Sequence, residues 1–564
     1  MKNKKTIKRA IALTCALTAA SSAFALVGCK KSVPDTEQTL EVHLWKAGYG
    51  TKFCSDLLDA FKQESWVKEK YPDLQIVFTS DGDKSIYTTK IDAGERANTV
   101  DLFLTASLGT YVGEDNSGYE YFADLTEEVY NKEVPGETGV TVYDKMLPSY
   151  IDSIRYYERG QDSSTPNVPF KSYVFPWASG MDSILYNATF LDAIHMEVPL
   201  TTKQFIETCE DIAGGSAFDY NRNADGDYAI MTDSSGNYWH YLYPTWWGQY
   251  EGIENYYNFF NGVIGSRYDY KVHEQKGKLY ALQVLEKTLA ESQGFVYKNY
   301  TGNDFMTAQT EFLSGNGVFY SNGDWFALEM KEKFAQVKEH TGKEYNIRMM
   351  KMPIVSEIIE KTPSIESEEA LRAVIRAIDA GFVDIDMALE ANFEGLELVT
   401  NVTKQDYQKI VEARSITHAI GSLHQAGVPS YAKGKQIAFD FLRFMATDKA
   451  QEIYLKATEG ASLPFEYNVK EKNPTLYNSF SQIQKDRLDM VYDSVHGMTV
   501  LPDPGSFALV KWGNMSEVKS LEGQNIWSYF TQGGKAINVY NSDIQYYKTE
   551  FETCLQDAGL GGTR

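Results

Sequence analysis

Apolar and polar residues alternate with period two along Leu40-Glu41-Val42-His43-Leu44-Trp45, which predicts a β-strand. From Phe53 to Lys70 the period lengthens, Leu57, Leu58 and Phe61 share one face, and a helix is expected. Tyr71-Pro72 stops it, because the residue before a proline is steered out of the helical region. A second strand is expected over Leu74 to Thr79, a helix over Tyr87 to Arg96 and a short apolar strand over Val100 to Leu104. Strand, helix, strand, helix, strand in that order predicts a parallel sheet. Parallel sheets place ligands beyond the carboxyl ends of their strands, so Trp45, Lys46, Tyr49, Thr105 and Ser107 become candidates by position. Later in the chain Tyr345 to Met350 is predicted as a strand, and Ser367 to Ala380 and Lys404 to Arg414 as helices around the acidic segment Asp384 to Glu397.

The N-terminus follows a different pattern. Lys2, Lys4, Lys5, Lys8 and Arg9 precede an uncharged run from Ala10 to Val27, the organisation of an export signal. It ends in Leu26-Val27-Gly28-Cys29, which resembles the lipobox of bacterial lipoproteins. That resemblance implies that residues 1–28 are a signal peptide, that Cys29 becomes the acylated mature N-terminus, and that the polar residues 29–39 tether the fold to the extracytoplasmic face of the cell membrane. The alternative is an uncleaved anchor, for which about 18 uncharged residues rich in Ala, Ser and Thr stand near the lower limit of bilayer length.

Charge narrows the partners. Removal of the basic leader takes the formal charge from -23 to -28. Such a field repels phosphate backbones and anionic headgroups, which disfavours nucleic acid and electrostatic membrane binding and leaves attachment to the lipid. A chain of 564 residues is too long for one core and predicts at least two lobes. Outside the leader and lipobox only Cys54, Cys209 and Cys554 remain, too few and too widely spaced for a disulfide framework, and they are expected as buried thiols with at most one pair.

The segments then form a recognisable series. The strand ending in Trp45, Tyr71-Pro72, Asp101-Leu102-Phe103 and Phe122-Ala123-Asp124-Leu125-Thr126 resemble the start of family 1 extracellular solute-binding proteins of ABC importers. Val174-Phe175-Pro176-Trp177, Ile184-Leu185-Tyr186-Asn187, Pro199-Leu200-Thr201-Thr202, Ser321-Asn322-Gly323-Asp324-Trp325, Ala438 to Phe444 and Ser462-Leu463-Pro464 continue it in the same order. The resemblance implies an α/β, two-lobed periplasmic-binding-protein-like fold of type II, with hinge crossings near Tyr173 to Ala178, Met350 to Pro353 and Glu459 to Pro464. It implies an N-lobe of residues 40–173 and 353–458, with an insertion over about 354–415, and a C-lobe of residues 174–352 and 459–564.

Aromatic residues make up 13% of the chain, including 38 Tyr and 9 Trp. Sugar rings present apolar C–H faces beside hydroxyls, so their sites combine flat platforms with bidentate polar side chains. By resemblance Trp325 is the stacking residue of the cleft and Trp45, Trp177, Trp246 and Trp247 are further ligand-binding candidates; Tyr49 and Ser107 remain candidates by position, with Asp182 and Asp324 as acceptors. Each tryptophan has a competing assignment to the core, which also suits Trp66 and Trp527 in helical patterns; Asp101 suits a backbone cap as well as a sugar hydroxyl. No cofactor is required. Asn221, Asn223, Asp225 and Asp227 around Gly226 reproduce the opening of a calcium loop, although Thr232 stands where the closing acid belongs and Asx turns use the same residues. A structural calcium ion is therefore one expectation and a self-bonded turn the other.

No HExxH, GxSxG, Walker loop or strand-borne GxGxxG is present, and the 8 histidines are scattered. The expected function is a lipid-anchored, monomeric, non-enzymatic receptor that captures a carbohydrate, preferably an oligosaccharide, between two lobes and delivers it to an ABC permease. The alternatives are a surface glycosidase or esterase, whose paired carboxylates would meet only in the fold, and a sensor or adhesion lipoprotein of the same fold.

Overall fold

The computed structural model describes residues 34–561 except 95–97, 114–118, 215–227, 235–236, 299, 394, 396–398, 420–423, 494–496 and 502–503. The lipobox with Cys29, and the candidate calcium residues Asn221, Asn223, Asp225 and Asp227, lie outside the described residues.

Nine strands form the two main sheets among the described residues: β1 (Thr39–Trp45), β2 (Gln75–Asp81), β3 (Leu102–Leu104), β4 (Phe175–Pro176), β5 (Asp182–Asn187), β6 (Tyr228–Met231), β7 (Gly317–Gly323), β8 (Ile347–Met350) and β9 (Gln425–Gly427). The first sheet has the order β2-β1-β3-β9-β4 and the second β8-β5-β7-β6. β1 runs parallel to β2 and β3, as the N-terminal pattern predicts, with Val42 opposite Leu102 and Leu44 opposite Leu104. β9 returns antiparallel between β3 and β4. Leu40, Val42 and Leu44 are fully buried on one face of β1; His43 on the other is also covered, its Nδ1 2.9 Å from Thr79 Oγ1. Coverage on both faces is the usual condition of a parallel sheet.

The helix expected over Phe53 to Lys70 is two, Lys52–Gln63 and Ser65–Lys70, separated where Glu64 takes an extended ψ of 136°. The break turns Trp66 back onto Phe61, ring edge to ring face at 5.7 Å, where it packs at the margin of the first core.

All six residues of β5 are buried. Ile184 and Tyr186 face a core shared with Phe205, Trp246 and Leu282, and Leu185 faces the opposite core with Phe312, Tyr320 and Met349. On that second face helix Gln482–Val491 lies against β8, held by Arg348, whose Nε and Nη2 each donate to Asp486 at 2.6 Å. The C-terminal helix Ala536–Asp557 closes the first face through the fully buried pair Lys278–Asp543 at 2.6 Å. Cys54, Cys209 and Cys554 are buried and unpaired.

The structure corrects the lobe assignment in three places. Residues 354–415 do not extend the first lobe: Ile354, Ile358, Leu371, Val374, Ile378, Tyr407 and Ile410 pack into the same core as Ile184, Phe205 and Trp246 of the second. The cause is the apolar stripe of helix Glu368–Asp379, which faces helix Lys404–Ser415 and the second-lobe core, while Gln249 Oε1 accepts a hydrogen bond from Val355 N at 3.0 Å. The chain therefore stays in the second lobe after β8 and returns to the first sheet only between Ile416 and Gln425, not at Met350 to Pro353. β4 likewise lies on the first sheet, so the first crossing follows Pro176. Within the stretch assigned to the C-lobe, Leu463 and Phe465 pack in the first core.

Candidate functional site: the interlobe cleft

The carboxyl end of β1 feeds the loop Lys46 to Thr51, and the end of β7 feeds Asp324 and Trp325; the two meet across the lobes. Gly48 makes the approach feasible, since a Cβ there would stand 2.9 Å from Trp325 Cβ and 2.6 Å from Glu329 Oε1. Gly323 plays the matching part, because the Trp325 ring folds back to within 2.0 Å of where a Cβ on it would be.

Beside this contact opens a cleft of about 1510 Å³. The first lobe contributes Trp45, Lys46, Lys84, His424, Ile453 and Lys456; Tyr238, Tyr241, Phe305, Trp325, Glu329 and Phe480 face them. Trp45 is half-buried and stacks on His424 at 5.9 Å, with Lys84 Nζ 4.7 Å from its ring centre. Tyr238 lies 5.8 Å from Trp325, and Tyr241 stacks on His418 at 6.1 Å. These rings give the cleft flat apolar surfaces with polar edges, the combination that saccharides require.

Behind the surface lies a buried polar knot. Tyr49 Oη donates to Asp324 Oδ1 at 2.7 Å, linking the β1 loop to the end of β7. Ser179 Oγ donates to Asp324 Oδ2 at 3.3 Å, Arg487 Nη2 stands 3.5 Å from the same oxygen, and Arg487 also donates to Ser179 Oγ. Burial raises the Asp324 carboxyl above its ordinary value, opposed by the Arg487 guanidinium and the Tyr49 and Ser179 hydrogen bonds; burial and Asp324 together hold the Tyr49 phenol protonated well above its usual range. At the cleft wall burial pushes Glu329 up to about 7, with Gln309 Nε2 donating to Oε2 at 2.8 Å.

The sequence candidates separate accordingly. Trp45, Tyr49 and Trp325 line the cleft, Trp325 with only 6% of its surface exposed because the Gly48 loop covers it. Asp324 stands directly behind the wall as the acceptor for Tyr49. Five candidates are corrected to other places. Trp177 is fully buried in the first core, stacked on Phe53 at 5.5 Å with Nε1 donating to Thr105 O at 2.9 Å. Trp246 and Trp247 are fully buried in helix Tyr243–Glu251; Trp247 meets Phe259 edge-on at 4.5 Å and donates to Gln275 Oε1 at 2.8 Å. Ser107 does not line the cleft, and its Oγ accepts the Gly109 N–H at 3.1 Å. The physical reason is shared: these side chains are already taken up by packing, backbone or a neighbouring side chain before any ligand arrives, although Trp246 Nε1 has no hydrogen-bond partner among the described residues. Asp182 is buried against His418 Nδ1 at 2.9 Å rather than in the cleft. Asp101 serves as the backbone cap, accepting from Glu41 N and Gly434 N at 2.8 Å each.

Sequence reasoning missed Tyr238, Tyr241, His424, Glu329, Lys84 and Lys456, which come from five separate segments and carry no local signature. Only the excess of tyrosine hinted at the first two. Among the described residues no group of three or more His, Cys, Asp and Glu side chains could hold a metal ion, and no helix is long and apolar enough to cross a membrane.

No protein-family model matches the chain, and no curated protein matches it. Solved structures do. A Caldanaerobius polysaccharolyticus structure from work on xylan utilization superposes with TM-score 0.54 at 15% identity, over 90% of this chain and 99% of that one. The GacH receptor of Streptomyces glaucescens gives 0.50 at 14%, over 92% and 98%, and a family 1 extracellular solute-binding protein from Bifidobacterium longum subsp. infantis 0.50 at 12%, over 90% and 99%. At such identities the likeness establishes architecture, and the chain has the two-lobed α/β fold of solute-binding proteins.

Proposed function

We propose that this protein captures a saccharide in the interlobe cleft and presents it to a membrane ABC permease, without chemical turnover. The single observation that carries the proposal is a cleft shared by both lobes and walled by Trp45, Tyr238, Tyr241 and Trp325 beside hydrogen-bonding side chains. A ligand touching both walls favours the closed arrangement by its differential contacts, and closure is then the signal a permease can read. Size supports an oligosaccharide: about 1510 Å³ exceeds the roughly 300–1,000 Å³ typical of small-molecule sites. The GacH receptor, of like fold, has been solved in complex with acarbose, and the Caldanaerobius polysaccharolyticus structure comes from work on xylan utilization. In the same proposal Cys29 carries the lipid that holds the protein at the extracytoplasmic face, and the protein acts as a monomer.

The test is a thermal-shift panel of oligosaccharides on the exported protein, followed by analysis of each binder for cleavage. A true ligand at a hundred times its Kd adds about 2.7 kcal/mol of stability. New reducing ends or released acyl groups would replace a receptor by an enzyme, and no shift with any saccharide would reject the ligand class. Membrane attachment is checked separately: Cys29→Ser should appear in the soluble fraction once its leader is removed, and retention at high salt would reject the lipid.

A further inference from the structure

The cleft is electrically unlike the rest of the molecule. The whole chain carries a formal charge of -23, yet five lysines line the cleft, Lys46, Lys52, Lys84, Lys331 and Lys456, against the three carboxylates Asp56, Glu329 and Glu459. Two lysines are neutralised locally, Lys52 by Asp56 at 2.5 Å and Lys331 by Glu459. Lys46, Lys84 and Lys456 make no ion pair among the described residues, and all three are exposed on the first-lobe wall. Asp81 and Asp83, next to Lys84 in the chain, accept instead from the backbone N–H groups of Asp83 and Ser85 at 2.9 and 2.8 Å, and Glu452, one turn before Lys456, accepts from the Tyr467 hydroxyl at 2.5 Å. Glu329, facing them from the other wall, is held up to about 7 by burial and so carries only part of its charge near neutrality.

We infer that the saccharide taken by this cleft is anionic, bearing carboxylate or sulfate groups that meet Lys46, Lys84 and Lys456 while its rings lie against the aromatic wall. The inference rests on the proposed saccharide capture and names the class of saccharide. Three ammonium groups without ion pairs around one groove concentrate positive potential there, and an anion that the surface at large repels is drawn to that one place. Lysine suits the task, since its ammonium is a compact charge on a flexible stem with three rotatable donors, able to follow acidic groups whose spacing varies along a glycan. Lys84, 4.7 Å from the Trp45 ring centre, places one cation beside an aromatic platform, so an acidic sugar would meet the stacking surface and the charge together.

The experiment is calorimetry on the full exported protein with matched pairs of glycans: trigalacturonate and its fully methyl-esterified form, a glucuronic-acid-substituted xylotriose and plain xylotriose, and sulfated and unsulfated galactobiose. The expected result is tighter binding of the charged member of at least one pair, weakening as salt rises from about 0.05 to about 0.5 M because the Debye length shrinks. The triple variant Lys46→Gln, Lys84→Gln, Lys456→Gln, verified as folded by its melting curve, should lose about tenfold or more for the charged glycan and bind the two members of the pair alike. The uronate and sulfate arms identify which anion is recognised. Binding in which no pair shows a preference for its charged member, or a triple variant that keeps the charge preference, overturns the inference and leaves saccharide capture standing. If no glycan of either kind binds, saccharide capture itself fails and this inference with it.

Discussion

Removing one oxygen atom, in Tyr49→Phe, should loosen the contact between the lobes. The Tyr49 hydroxyl is buried and donates to Asp324 Oδ1 at 2.7 Å, from the first lobe to the second. A hydrogen bond to a carboxylate contributes about 1.5–3 kcal/mol net, and leaving Asp324 one donor short in a buried site keeps the loss toward the upper end. If that loss falls on the closed arrangement alone, the ratio of closed to open drops by about 12- to 150-fold. Small-angle scattering of the ligand-free variant should then give a larger radius of gyration than wild type, and saturating ligand should restore it. Apparent affinity should weaken by no more than the same factor, because a ligand that needs the closed state is penalised by the fraction closed. Tyr454→Phe is the internal control: its buried hydroxyl has no hydrogen-bond partner among the described residues, so its removal should leave scattering and affinity unchanged. A Tyr49→Phe protein with wild-type scattering and affinity but a lower melting point would refute the reasoning, since the bond would then stabilise the fold and not the closure.

Glu329 titrates at about 7 in the folded protein against an ordinary 4.5, so the native state holds its proton where the unfolded chain has lost it, and stability should fall as pH rises between about 4.5 and 7, by about 3 kcal/mol at most. Glu329→Gln should flatten that slope in denaturant titrations at about pH 5 and about pH 7.5, with Asp101, also raised, to about 6, contributing equally to both proteins; parallel slopes would reject the assignment. Trp247→Ala should lower stability by about 3–5 kcal/mol and leave ligand affinity unchanged, read by thermal unfolding and calorimetry on the same sample, and an affinity loss without destabilisation would return Trp247 to the cleft. Asp543→Ala should cost about 3–5 kcal/mol by stranding the buried Lys278 ammonium, whereas replacing both partners by Met and Leu should cost far less, a contrast that melting curves of the two variants measure directly.

The local pattern was sufficient where a segment's environment depends on its own neighbours. Period-two alternation placed β1 within one residue, and the helices at Glu368–Asp379 and Lys404–Ser415 were legible from spacing. It was insufficient where the environment is set by distant chain. An apolar stripe says that residues 368–379 must be covered but not by which lobe; the family resemblance implies the first, and the stripe is buried in the second. The same holds for the tryptophans. An indole has one chemistry for stacking on a sugar and for stacking on Phe53, and only the fold separates Trp177, fully covered, from Trp45, which is half-buried at the cleft. Charge followed the same rule: Lys46, Lys84 and Lys456 are unremarkable among 54 basic residues until the two lobes bring them to one groove.

On the proposed closure, the polar knot behind the cleft holds the lobes to one geometry. An apolar contact between them would contribute area without direction, and would tolerate sliding of one surface over the other. Asp324 instead accepts from Tyr49 on the β1 loop and from Ser179 on the segment between β4 and β5, with Arg487 of the second lobe 3.5 Å away. A buried charge pair contributes little over a well-packed apolar replacement, but a misplaced partner leaves an ion unpaired at a cost of several kcal/mol. The arrangement therefore penalises every closed geometry except the one that satisfies Asp324. In that geometry Trp45 and His424 stand across from Tyr238 and Tyr241, at a spacing set by protein bonds before any ligand is present. A ligand need only fill the spacing, and its binding energy is spent on recognition instead of on choosing where the lobes stop.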